Sequence, residues 1–292
     1  MSIKNRYEFV MLFDVENGNP NGDPDAGNSP RVDVETGYGY ITDVCLKRKI
    51  RNYVELVKDG VPKFNILIKN DSSLNSKFKK AYNELGIKSD EGNEHNKEEK
   101  QKALQYMCNN YYDVRTFGAV MSTGNNNEKE SRIGIIRGPV QINFARSISP
   151  INIEEISITR QAKTTDMRQE QSGNSEMARK SIIPYALYRS EGYISAALAS
   201  KVTGFSDEDL ELLWEAIINM FEHDHSAARG KMCMRKLIVF RHENILGNAP
   251  SHVLFDKIQI QQKKEQPPRN YNDYDIIIDK NMPSGVEIIE KI

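Results

Sequence analysis

The stretch YEFVMLFDVENGNPNGDPDAGN, residues Tyr7–Asn28, changes character halfway. In its first part Tyr7, Phe9, Met11 and Phe13 fall on one side, and Glu8, Val10 and Leu12 on the other. A period of two is that of a β-strand, here with one face fully apolar and the other mostly so. The second part consists of turn-forming Asn, Gly, Asp and Pro. A calcium loop of the EF-hand type is one reading of it. Counted from Asn17, the residues Asn17, Asn19, Asn21, Gly22 and Asn28 fall on the spacing such a loop requires. Neutral amides stand where acids are needed, however, and Asn28 offers no bidentate carboxylate. Too little negative charge remains to dehydrate calcium, so no calcium is expected there. Two readings stay open: a plain turn-rich loop, or a backbone surface that a ligand approaches closely, which Gly permits.

Working outward, the loop runs to about Tyr40. Thr42 is placed to cap a helix over roughly 43–57. Leu46, Ile50, Tyr53, Val54 and Val57 form its apolar stripe, and at 100° per residue Lys47, Arg48 and Arg51 line one flank. Residues 63–68 are a short apolar segment, and 70–104 are so charged that they read as an insertion or a surface helical element. Residues 114–123 read as a buried segment broken by Gly118, and 133–144 as strand interrupted by Gly-Pro. Residues 156–183 read as a projecting β-hairpin: strand-like ends, with TTDMRQEQSGNSE between them holding no core-forming residue. A hairpin cannot bury a core alone, so a projecting one needs a partner. Tyr185–Ala199 reads as strands around a turn at Gly192. Ser206 and Asp209 form a capping box for a helix to about Glu222, with Leu210, Leu213, Trp214, Ile217, Met220 and Phe221 inward. Met232–Phe240 is a strand buried on both faces, 247–260 mixes loop, helix and strand, and Tyr274–Asp279 is a late strand. A sheet with helices in this order is α+β and suits a ferredoxin-like core.

The chain has 292 residues, 38% hydrophobic and 28% charged, with a formal net charge of −1. No apolar run approaches a membrane span, and no signal-peptide pattern opens the sequence. Cys45, Cys108 and Cys233 are far apart, which suits a reducing cytoplasm. Charge is segregated along the sequence: residues 201–224 carry one Lys against seven acids, and 225–242 carry five bases and no acid. Such segregation lets one face attract phosphates while the whole stays neutral. Nucleophile, phosphate-loop, zinc-protease and dinucleotide motifs are absent. His223 and His225, with Cys233 nearby, lack a fourth ligand at zinc spacing. Asp14, Asp23, Asp25 and Asp33 keep one catalytic alternative open, a metal-dependent RNA nuclease whose acids converge in the opening loop.

GNPNGDPDAGN, PRVD with GYGYITDVCLKRKIR, DVRTFGAVMS, IRGPVQ, SITRQA, KSIIPYALY, GFSDEDLELLWEAIINMFEHDHSAARG and LGNAPSH occur in this order over nearly the whole chain. Together they resemble the backbone subunit of the type I-C CRISPR interference complex, Cascade, of the Cas-seven superfamily. The resemblance implies a single domain over 1–292: a modified RNA-recognition-motif palm, a helical insertion at about 63–112 and a β-hairpin thumb at about 150–184. It implies copies stacked head-to-tail along CRISPR guide RNA, each thumb flipping out a base while the bases between pair with target DNA. Its implied partners are the guide RNA, the target strand, other copies, other Cascade subunits and a recruited helicase-nuclease, in the cytoplasm and without a membrane. It implies no catalytic residue, metal or cofactor, although related type III subunits cut RNA with an acid in the loop after strand one. Lys47, Arg48 and Arg51 are then expected on backbone phosphates, and Asn19 and Asn21 as amide and main-chain donors. Arg137 and Gln141 are expected on a sheet strand beneath the RNA, and Arg160, Gln161, Arg168 and Lys180 on the thumb. His225 and Arg229 complete the set. The acidic helix and the basic run after it are offered as a contact between neighbouring copies.

Overall fold

The alternating stretch becomes β1 (Tyr7–Gly18), the strand around which the molecule is built. The computed structural model describes residues 1–69, 73–87, 95–122, 131–160 and 176–292. β1 lies between β10 (Glu176–Ile194) and β11 (Lys231–His242), antiparallel to both. The sheet extends through β14 (Val286–Glu290) beyond β11, and through β8 (Ala145–Pro150) and β4 (Tyr38–Ile41) beyond β10. β7 (Val140–Ile142) and β9 (Glu154–Arg160) also pair with β10, at its opposite ends. The fold is therefore mixed α/β around one large antiparallel sheet.

Both faces of β1 are covered. Phe9, Met11, Phe13 and Val15 pack under α1 (Asp43–Val57) and the helix Asp207–Asn219. Trp214 meets Phe9 edge-on at 5.3 Å, and Phe221 lies 5.0 Å from Phe13. Val10 and Leu12 face the other way, with Leu187, Ile238 and Phe240. Leu254 and Phe255 of a short helix cover them, together with β12 (Ile258–Gln262) and β13 (Tyr274–Ile278). Leu237 and Val239 enter the first core while Ile238 and Phe240 enter the second, as expected of that strand.

Two expectations change. Gly192 is not a turn, because β10 runs through it. It stands opposite Phe9, and a Cβ there would lie 2.1 Å from the Phe9 ring, so the glycine makes room for an aromatic neighbour. The insertion is not merely a polar surface element: α2 (Leu74–Glu84) and α3 (Lys97–Asn110) enclose a core of their own with Phe78, Tyr82, Met107, Val114 and Ile136. The segment after it is buried and broken at Gly118, as expected: α4 (Tyr112–Phe117) ends there, and its C-cap Gly118, at φ 78°, turns the chain into β5 (Gly118–Met121). β5 pairs with β6 (Gly134–Arg137).

Two buried ionic groups tie layers together. Arg115 of α4 binds Asp209 with Nε at 2.9 Å and Nη2 at 2.7 Å, while Asp209 also closes the capping box with Ser206. Under β1, fully buried Glu8 meets His242, Arg6 and the Ser251 hydroxyl. The Asn248 N–H donates to His242 Nδ1 at 2.8 Å, so Nε2 carries the proton given to Glu8. Burial alone would raise the Glu8 carboxyl, but the hydrogen bonds from His242 and Ser251 and the charge of Arg6 hold it below the usual glutamate value. A depressed carboxylate favours the fold above its unfolded pKa and loses that contribution as pH falls through the folded one. Acid unfolding of Glu8→Gln should therefore depend less on pH below about 4.5 than that of the unsubstituted protein, as followed by circular dichroism. Among the described residues no helix is long and apolar enough to cross a membrane.

Candidate nucleic-acid interface

The polar half of the opening stretch folds back on itself and stays close to the sheet. β2 (Gly22–Asp23) and β3 (Ser29–Pro30) pair across a short 3-10 turn, Pro24–Ala26, with Gly27 at φ 60° and Asn28 at φ 62°. Asn and Gly tolerate this left-handed backbone where branched residues do not. Two ties fix the loop. Asn21 Oδ1 accepts from the Thr42 backbone N–H at 3.0 Å and from its hydroxyl at 3.1 Å. The Asn19 N–H donates to Ala228 O at 2.8 Å. At this second tie the two backbones touch: a Cβ on Gly18 would lie 1.9 Å from Arg229 O, and one on Gly230 2.5 Å from Asn17 O.

Thr42 is the N-cap of α1, as expected, its hydroxyl accepting from Cys45 N–H at 3.3 Å. Thr42→Ala removes that cap and one of the two Asn21 bonds. It should cost about 1–2 kcal/mol in urea unfolding.

Beside the loop lies the hairpin of β9 and the first part of β10. It pairs from Glu154 with Ile182 to Arg160 with Glu176. Its isoleucines Ile156 and Ile158 are exposed. Between hairpin, opening loop and residues 226–230 is a cleft of about 570 Å³. Asn19, Asn28 and Ser29 line one side, Ile158, Arg179 and Lys180 another, and Ala227 and Ala228 a third. Lys180 donates its ammonium to Ala227 O, latching hairpin to loop. Arg179 is largely exposed and meets Glu155 at 3.8 Å. Asn19 is buried, gives its amide N–H to Asn28 O at 2.7 Å and keeps a buried Oδ1 with no hydrogen-bond partner.

The expected site residues separate into groups. Asn19 and Lys180 come together here; Arg229 touches the loop only through its backbone beside Gly18, with its guanidinium on Asp224, and exposed His225 lies on the same 223–230 segment. Asn21 acts through Thr42, as a tie. The basic flank of α1 divides: Arg51 is buried, Lys47 half-buried and Arg48 exposed. Arg51 binds Asp113 at 2.9 Å, Lys47 pairs with Asp43 at 2.8 Å, and Arg48 donates to Ile68 O at 2.6 Å. Val57, expected in the apolar stripe, is 41% exposed at the helix end. Arg137 and Gln141 lie at the other end of β10, lining a groove with Tyr193 and Leu246. From Ile183, beside Gly18, to Ile194, beside Val140, is roughly 35 Å at strand rise. Arg160 closes β9 through backbone pairing, and Gln161 and Arg168 lie outside the described residues. Arg179, a base of the expected hairpin, stood outside the expected site set, and the Ala227–Ala228 backbone was missed. Gly230, inside the basic run, was the available signal of close backbone approach.

The charge segregation seen along the chain does not survive folding. Arg229 pairs with Asp224, Lys231 with Glu16, Arg235 with Asp14, Lys236 with Glu290 and Arg241 with Glu287. Nor do the opening acids converge. Asp14 is buried on the opposite face of the sheet, accepting from Arg235 at 2.9 Å and the Tyr185 hydroxyl at 3.0 Å, and burial raises its pKa against those partners. Asp23 caps the 3-10 turn. Asp33 accepts from Glu35 N–H, and the Thr36 and Glu35 hydrogen bonds hold its carboxyl low. Among the described residues no three His, Cys, Asp or Glu side chains gather as a metal site.

A family model described as CRISPR-associated protein Cas7 matches residues 5–279. A curated CRISPR-associated protein Cas7 of Haloferax volcanii is 25% identical over 308 aligned positions, covering 100% of this chain and 85% of that protein. Among solved structures, a chain of a CRISPR RNA-guided surveillance complex in a pre-nicking state aligns with a TM-score of 0.47 at 14% identity, over 80% of this chain and 78% of that one. A chain of a type III-B Cmr-beta complex bound to cognate target RNA aligns at 0.43 and 13% identity, over 80% and 61%.

Proposed function

The chain belongs to the CRISPR-associated protein Cas7 family, and from that premise we propose that it is a non-catalytic scaffold that grips CRISPR guide RNA in a type I-C interference complex. It holds the strand by its backbone, without sequence preference, and leaves bases free to pair with target DNA. Copies follow one another head-to-tail along the guide, other Cascade subunits complete the particle, and a recruited helicase-nuclease does the cutting, in the cytoplasm.

The observation that carries this reading is the cleft itself. It joins a Gly/Asn backbone, two cationic side chains and a buried free acceptor at the root of a hairpin. Phosphates are met by the two cations of the cleft, Lys180 and Arg179, which fixes register without reading bases. Asn19 Oδ1 suits a ribose 2′-hydroxyl, a donor that deoxyribose lacks. The placement of β1 between β10 and β11, with α1 and the helix Asp207–Asn219 on one face, supports the RNA-recognition-motif palm. The β9–β10 hairpin supports the thumb. The internal pairing of the basic run argues for a smaller part in copy–copy contact than its sequence promised.

The rival reading, a metal-dependent RNA nuclease, rests on the acids of the opening loop. One experiment separates the two: purified protein is titrated with unrelated single-stranded RNAs across a salt series, with and without magnesium, and the products are run on a denaturing gel. The scaffold reading expects salt-sensitive, sequence-blind, cooperative binding and intact RNA. Cleavage that needs magnesium and disappears in Asp33→Ala would replace it with the nuclease. Lys180→Gln should weaken all sequences alike and lower the salt slope by about one.

A further inference from the structure

A second surface near the opening loop is left unused by this grip. β4 and β8 lie at one side of the sheet, where residues 31–33 pair along the outside of β4, with Tyr40 opposite Arg146 and Ile41 opposite Ala145. Ile41 and Ala145 are fully buried. The strand period of two therefore sends Tyr40, Phe144 and Arg146 together to the other face. Over the middle of the sheet that face is covered by the C-terminal strands. On β8 their cover is seen at Ile148, which packs against the core that holds Ile258 and Tyr274. At the other end of β8, Phe144 is 52% exposed. Its ring lies parallel to that of Tyr40, within 5° and 6.2 Å between centroids. Arg146 beside them has a side chain 69% exposed and meets Asp33 at 3.8 Å, beyond hydrogen-bond range. Thr42, two residues after Tyr40, is held by Asn21 of the opening loop.

We propose that Tyr40, Phe144 and Arg146 form a stacking platform for unpaired bases of a single nucleic-acid strand, with Arg146 taking an adjoining phosphate. The inference rests on the strand-gripping function proposed above. Every base presents a flat π-face, so aromatic platforms bind single strands without regard to sequence. An exposed ring pair beside a loosely held guanidinium matches a flat ring joined to an anion. A purely apolar protein segment would leave Arg146 without a counterpart.

Fluorescence anisotropy with three probes tests this: a homopyrimidine RNA, the DNA of the same sequence, and an abasic phosphodiester strand. Phe144→Ala should weaken the two base-bearing strands by about 5- to 100-fold and leave the abasic strand unchanged. Phe144→Trp should restore binding. Arg146→Gln should weaken all three alike and lower the salt slope by about one. A loss shared by RNA and DNA assigns the platform to either strand, and a loss confined to RNA assigns it to the guide; both support it. If Phe144→Ala binds like the unsubstituted protein, or loses the abasic strand equally, the platform is refuted while the grip stands. If the unsubstituted protein binds no strand at all, the grip fails and takes the platform with it.

Discussion

Replacing Arg115 by Ala is expected to lower folding stability by about 3–5 kcal/mol, the cost of leaving a buried carboxylate without its cation. Arg115 and Asp209 are both nearly inaccessible and joined by two parallel hydrogen bonds. Arg115 also donates to Cys108 O at 2.7 Å and Lys63 O at 3.1 Å, so its loss strips partners from two backbone carbonyls as well as from the carboxylate. Asp209 keeps its capping bonds from Ser206 in the variant, but the charge stays buried. The measurement is urea unfolding of Arg115→Ala, Asp209→Asn and the double variant. A coupling energy well above 1 kcal/mol is expected between sites so closely joined. A single-variant cost below 1 kcal/mol would show that the α4 connection to the helix Asp207–Asn219 is carried by packing instead.

The second large effect concerns the site. Gly18→Val should weaken RNA binding more than ten-fold. The new side chain meets main chain, Arg229 O at 1.9 Å and Gly230 Cα at 2.8 Å, and neither can rotate away. The 226–230 segment must then withdraw, breaking the bond from Asn19 N–H to Ala228 O and the Lys180 latch on Ala227 O. The core of β1 lies upstream of Gly18, so the overpacking cost should stay near 1–3 kcal/mol. Binding titrations at one salt concentration, set beside thermal unfolding, test this. Unchanged affinity in a folded variant would move the RNA away from the cleft.

By itself the sequence determined most of the elements. The period-two run of β1, the Thr42 cap over 43–57 and the Ser206–Asp209 box are local signals, written within a few residues of what they specify. The opening loop was legible in the same way, because Asn and Gly at left-handed positions announce their backbone. Only the tertiary structure decided what Gly192 was for, since the Phe9 ring it accommodates lies on another strand. Only it decided the fate of the charges. Arg51 reads as a flank residue on a helical wheel, yet Asp113 stands opposite it, and the bases of β11 meet acids carried by β1 and β14. Ion pairing and exposure depend on which distant segments the topology brings face to face. Periodicity, confined to a few turns of chain, holds no record of that.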